Sequence, residues 1–261
     1  MRARRLIAAA SVAALGVLSL AACGKSSPDV AAYVGDRTYS LDRVDAVYDE
    51  AQARYAEVMR QGAAQAGVTP EPEELRSAVT RQDVVDLLVS IELGKRIAAE
   101  QGIQVSDQIT PEQIAESLKM PPQAEYAQLW GEWADLSLAL GQKLPPAELS
   151  DESLMKVYRA IERTGEIQPN ASVQQVRQLF GQADFVRAGT AISVALQAEA
   201  EEVDLTVNPR YDRLGVPSWV SKGQEVIFYA LPYVESTGPV TDISTPEPVV
   251  TPAEPTAPVQ P

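Results

Sequence analysis

Cys23 is the only cysteine in the chain, and it follows an uncharged run over residues 6–20 built from Ala, Val, Leu, Ile, Ser and Gly. One cysteine forbids any disulfide within the chain. Arg2, Arg4 and Arg5 precede the run, so the first 22 residues have a positive end, an apolar centre and a small-residue exit. About 20 apolar residues are needed to span a bilayer, so the run is short for a membrane helix and suited to the core of an export signal.

The exit reads Leu20-Ala21-Ala22-Cys23-Gly24. It resembles the lipobox of bacterial lipoproteins, in which a branched apolar residue and two small residues lead to a cysteine that receives a diacylglyceryl group before cleavage. An exported lone thiol otherwise points to intermolecular pairing or a reactive site. The lipobox makes Cys23 a lipidation site, with Leu20, Ala21 and Ala22 as its recognition residues. Two or three acyl chains suffice for stable anchoring where one is marginal. The expected location is the outer face of a cell membrane, reached through the lipid anchor alone.

Removing residues 1–22 leaves 239 of the 261 residues, enough for one large domain or two small ones. That segment holds three of the 22 basic residues and none of the 36 acidic ones, so the remainder sets 19 basic against 36 acidic side chains, a net charge of −17. Such a surface repels nucleic acid and anionic headgroups. The chain has no histidine. That excludes Ser-His-Asp and Cys-His catalysis and zinc sites built from Cys and His. Carboxylate chemistry, a Ser-Lys pair or a carboxylate calcium site remain open, but no Gly-rich phosphate loop or Asp-rich calcium loop occurs. The expectation is no catalytic residue, no metal and no cofactor.

Periodicity and punctuation predict a mainly helical body. After a short tether over residues 23–29, Gly35-Asp36 sits at the turn of a small hairpin, and Ser40 caps a helix with a stripe of Leu41, Val44, Tyr48, Ala51, Tyr55 and Val58. Gly67 ends it. Thr80 and Asp83 form a capping box before residues 84–93, apolar on most sides, which predicts a central core helix with Gly102 as its cap. Pro111 starts a further helix. Residues 124–140 form another, with Tyr126, Leu129, Trp130, Trp133, Leu136 and Leu140 on one face. Ser150 and Ser172 cap two more, and a longer helix covers 182–202. A strand is expected at 205–207 and a short one at 225–229. The helical domain spans 30–232, with a small β element joining its N- and C-terminal segments. The Pro/Thr-rich stretch over 233–261 reads as an extended disordered tail.

Three stretches in order resemble the N-terminal chaperone domain of SurA as found in actinobacterial lipoproteins. The first is Ala31-Ala32-Tyr33-Val34-Gly35-Asp36-Arg37-Thr38-Tyr39-Ser40-Leu41, similar to that family's opening hairpin and helix cap. The second runs Val85-Asp86-Leu87-Leu88-Val89-Ser90-Ile91-Glu92-Leu93 and continues to Gly102-Ile103-Gln104-Val105-Ser106-Asp107. The third, Val203-Asp204-Leu205-Thr206-Val207-Asn208-Pro209-Arg210-Tyr211, resembles its closing segment, although Asp212 stands where Gly is usual. The resemblance implies a SurA N-terminal-like helical fold that binds unfolded or extended polypeptide. The parvulin prolyl isomerase domain of SurA and PrsA relatives carries active-site histidines, which this chain lacks, so it implies no isomerase activity.

Holding an unfolded chain needs apolar or aromatic surface kept soluble by charge. Tyr126, Trp130 and Trp133 are the candidate peptide contacts, against the alternative that an aromatic stripe at helical spacing is core. Asp83 with Asp86, and Glu199 with Glu201 and Glu202, suggest acid chemistry or metal binding, but solvated helix faces explain them more simply. Asn170-Ala171-Ser172 fits a glycosylation sequon and equally a loop with a helix cap. The tail is a spacer or a polyproline ligand. Two other functions stay open: an adaptor lipoprotein holding one cell-envelope partner, and a carboxylate enzyme.

Overall fold

The computed structural model describes residues 27–181, 183–211, 213–222 and 225–235. Leu20, Ala21, Ala22 and Cys23, with the rest of the signal-like segment and most of the Pro/Thr-rich stretch, lie outside them. Seven helices and five strands occupy the described residues.

Strand β1 (Val30–Val34) turns into β2 (Arg37–Ser40) as an antiparallel hairpin. Gly35 takes φ +59° at the turn, the left-handed region that costs glycine nothing. Ser40 then opens α1 (Leu41–Ala66) by accepting a hydrogen bond from Arg43 N at 3.1 Å, and Gly67 closes it at φ +70°. Both boundaries agree with the sequence.

Helix α2 (Arg81–Glu100) begins with the expected capping box: Asp83 N donates to Thr80 Oγ1 at 3.2 Å and Thr80 N donates to Asp83 Oδ2 at 2.8 Å. Twelve of its 20 residues are buried, so it is covered on nearly every side and lies at the centre of the core. Short α3 (Pro111–Leu118) leads into α4 (Glu125–Lys143). Helix α4 crosses α2 at Gly94, where a Cβ would stand 2.7 Å from Leu136 Cδ2, so any larger residue would force the Leu136 side chain to move. Then follow α5 (Asp151–Glu162), α6 (Val173–Phe180) with a Ser172–Gln175 capping box, and α7 (Asp184–Glu202).

The chain returns through β3 (Thr206–Val207), which pairs with β1 through Ala32↔Val207 and Tyr33↔Thr206. Asn208 completes the join: its N donates to Ala31 O and its Nδ2 to Val30 O, both at 2.8 Å. The expected small sheet between the two ends of the helical body is therefore present, in the order β2-β1-β3.

The second sheet is larger than the sequence suggests. Strands β4 (Arg213–Lys222) and β5 (Glu225–Glu235) form an antiparallel hairpin with a register shift at Leu214/Gly215. Only 225–229 was expected as strand here, and the tail was expected from residue 233. Tyr233 is instead 3% exposed within β5, which moves that boundary past Glu235. Pro217 and Pro232 hide the strands in the sequence because proline normally interrupts a ladder. The two-residue alternation of the pleat sends Leu214, Val216, Ile227, Tyr229 and Leu231 to one face, all buried. The paired Trp219 and Phe228 take the other face, where Trp130 of α4 packs edge-on at 6.1 and 4.9 Å between ring centroids. No described helix is long and apolar enough to cross a membrane.

Candidate functional site

The β4–β5 hairpin has two outer edges, and helix side chains treat them differently. On β4, Gly215 N donates to Asp86 Oδ1 at 3.1 Å, and Trp133 Nε1 donates to Pro217 O at 2.6 Å. Gln82 Nε2 donates to Arg213 O at 2.6 Å and to Asp86 Oδ1 at 2.8 Å, while Ser90 Oγ reaches Gly215 O at 3.5 Å. Residues 213, 215 and 217 thus turn their backbone groups away from β5 and onto α2 and α4. Pro217 fits because a proline facing outward loses no ladder bond.

In an antiparallel ladder, residues opposite such positions also point outward. Their partners on β5 are Pro232, Ala230 and, continuing the register, Phe228 and Val226. Ser193 Oγ of α7 meets Pro232 O at 3.5 Å. Among the described residues, nothing outside the hairpin hydrogen-bonds to the backbone of Val226, Phe228 or Ala230.

That unbonded stretch of β5 lines a cleft of about 900 Å³. All five residues from Val226 to Ala230 contribute, as they must when a strand presents its edge as well as its faces. The remaining wall includes Tyr55 of α1, Tyr126 and Trp130 of α4, Leu118 of α3 and Pro217 of β4. Asp83 and Asp86 reach it from α2. Glu116, Glu166 and Lys119 also line it, so the cleft combines aromatic surface, four acidic residues and one lysine with residues 226–230 of β5.

The three aromatic residues expected as peptide contacts divide. Trp133 is fully buried and its indole N–H is committed to Pro217, so it is a core residue that closes the β4 edge. Tyr126 and Trp130 are 3% and 4% exposed and stand in the cleft wall. Trp130 Nε1 is buried without a hydrogen-bond partner of good geometry. Burial pushes the Tyr126 hydroxyl well above its ordinary range and that of Tyr229 up to about 12. The aromatic stripe on α4 takes the core alternative weighed for it, because the β4–β5 hairpin covers it.

Two acidic residues assigned to solvated helix faces are also corrected. Asp86 is 2% exposed and Glu199 4% exposed. Burial holds the Asp86 carboxyl well above the usual carboxylate range, although the Gly215 N–H and the Gln82 amide oppose that shift. Asp83 serves the α2 cap, and Glu201 and Glu202 are exposed as expected. Ser172 is a helix cap, with Asn170 exposed in the loop before it.

Sequence reasoning missed Phe228 and Tyr229 as site residues. Their signal was the run Val226-Ile227-Phe228-Tyr229-Ala230-Leu231, which predicts a strand but not which of its edges stays open. No family model, no curated protein and no solved structure matches the chain.

Proposed function

We propose that this chain is a lipid-anchored, extracytoplasmic holdase-like protein of the SurA N-terminal type, which binds unfolded or extended polypeptide transiently by strand addition to β5. The observation that carries this reading is the row of backbone groups at Val226, Phe228 and Ala230, unbonded from outside the hairpin and lining an aromatic cleft. Backbone bonds to a strand edge give affinity that does not depend on the client's sequence, and aromatic walls add apolar contact with alternate side chains. A general holdase needs both properties. Tyr55, Tyr126 and Phe228 supply the apolar contact.

The net charge of −17 beyond residue 22 keeps such a body soluble when apolar clients are bound. Lipidation at Cys23 would hold it at the membrane face where secreted chains emerge. No ATP and no covalent step is required, and no isomerase activity is expected of a chain without histidine.

The test is suppression of aggregation by the full chain in detergent, using several unrelated chemically unfolded proteins at near-stoichiometric ratios. Suppression of most of them supports the holdase reading. Saturable capture of one native envelope protein, with no suppression, would replace it with an adaptor role. Mass spectrometry of the membrane-extracted protein checks the anchor: diacylglyceryl at Cys23 is expected, and an unmodified thiol would refute it.

A further inference from the structure

Helix α2 ends at Glu100 and helix α7 at Glu202, and the carboxylates of Glu100, Glu199 and Glu202 converge there. One oxygen from each lies within 4.8 Å of the others. None of the three lines the aromatic cleft.

Three features distinguish this cluster from a solvated acidic face. Glu199 is 4% exposed, and its Oε1 is buried with no hydrogen-bond partner. A buried carboxylate oxygen without a donor is costly unless something positive meets it. Second, the cluster caps two helix C-termini, where the peptide dipoles add negative character and cations are favoured. Neither helix places a basic residue in its last turn. Third, Arg96, whose charge reaches Glu199, is engaged elsewhere, by Asp36 at 2.5 Å and Glu92 at 3.3 Å.

We propose that Glu100, Glu199 and Glu202 form a divalent-cation site of the calcium class that ties the C-terminal end of α2 to that of α7. Carboxylate oxygens suit hard cations, and calcium accepts irregular sets of them at about 2.3–2.6 Å, filling its remaining positions with water. A separation of 4.8 Å is about twice that bond length, so one ion reaches all three groups with little movement. The ion would give the buried Glu199 carboxylate a positive partner and neutralise repulsion between three like charges. Two of the ligands are exposed, which places the site among the weaker calcium sites, with Kd of about 10⁻⁴–10⁻³ M.

Calorimetric titration of the metal-stripped full chain in detergent with calcium chloride tests this, together with thermal unfolding. One saturable site is expected, with a rise in Tm of about 3–6 °C at ten times Kd. The double variant Glu100→Gln/Glu202→Gln alters exposed residues only and leaves the core intact. It should weaken calcium at least ten-fold and abolish the rise, and Glu199→Gln should do the same. Magnesium at equal concentration should give a smaller shift. Absence of saturable binding overturns the site, as does a calcium response surviving in either variant. Equal shifts from both ions would reveal general screening of the acidic surface and would also overturn it.

Discussion

On β4, the outward backbone groups of Arg213, Gly215 and Pro217 are met by Gln82, Asp86, Ser90 and Trp133, whereas on β5 no hydrogen bond from outside the hairpin reaches those of Val226, Phe228 and Ala230 among the described residues. The two strands share one ladder and one core, so their difference lies only in what covers each edge. Closing an edge with side chains requires polar groups in the interior, each of which must find a partner. Asp86, Ser90 and the Trp133 indole are buried for this reason, and the strand supplies their partners. The open edge avoids that cost, and helix α5 packs against the same strand without a hydrogen bond to these three backbones.

Breaking the closed edge should have the largest effect. Trp133→Ala removes a fully buried side chain and the donor to Pro217 O together. A loss of about 3–5 kcal/mol is expected from urea unfolding. Trp133→Phe keeps most of the packing and leaves the Pro217 carbonyl unsatisfied, so it should cost about 1–3 kcal/mol. A negligible loss in Trp133→Phe, with the full loss kept in Trp133→Ala, would show that the hydrogen bond contributes nothing.

The same contrast explains how much of the molecule was legible in its sequence. Helix starts were readable because Ser40, Thr80, Ser150 and Ser172 act on residues three positions away, and local chemistry is what a sequence displays. The small sheet was readable from strong turn and cap signals at Gly35 and Asn208. The β4 strand was not, because Pro217 is acceptable only if its missing N–H faces away from β5, a fact settled by tertiary position. Asp86 reads as a surface acid on its own helix, while its partner Gly215 lies 129 residues further along. The site was half legible for the same reason: Tyr126 and Trp130 were named, but the strand edge opposite them depends on register.

Removing charge from the closed edge should act through pH. In an unfolded chain an aspartate titrates near 3.9, and burial raises the Asp86 carboxyl above that in the fold. Between the two values the folded state holds a proton that the unfolded state has released. Stability therefore falls as pH rises across that window, by up to about 1.4 kcal/mol per pH unit. Asp86→Asn retains an acceptor for Gly215 and Gln82 without the charge. Asp83 and Glu199 are shifted in the same direction, so the informative quantity is wild type minus variant. Urea midpoints from pH 4 to 7 should fall more steeply for the wild type. Parallel curves would mean that Asp86 titrates as an ordinary surface acid.

Blocking the open edge should leave stability nearly unchanged and impair binding. Ala230 stands opposite Pro217, and its N–H points away from β4. Ala230→Pro deletes that donor as Pro217 and Pro232 already do on their own strands, so the ladder is preserved. A factor of about five in client affinity, the equivalent of one hydrogen bond at about 1 kcal/mol, is expected in the aggregation assay. Unchanged capture with a stable variant would eliminate strand addition as the mode of binding, leaving the aromatic walls as the contact.

The smallest effect should come from the one side-chain hydrogen bond that helix α7 makes to β5 among the described residues. Ser193 Oγ approaches Pro232 O at 3.5 Å, long for a hydroxyl hydrogen bond. If that contact closes the edge as Trp133 closes β4, Ser193→Ala leaves a buried carbonyl unsatisfied and costs at least about 1 kcal/mol. At that length the bond is weak, and the expected cost is under about 0.5 kcal/mol. Urea unfolding resolves the two cases. A large loss would extend the closed region of β5 back to Pro232 and confine the open edge to Val226, Phe228 and Ala230. A small one means that the contrast between the strands rests on the β4 bonds alone, because the far end of β5 is packed against α7 without being held by it.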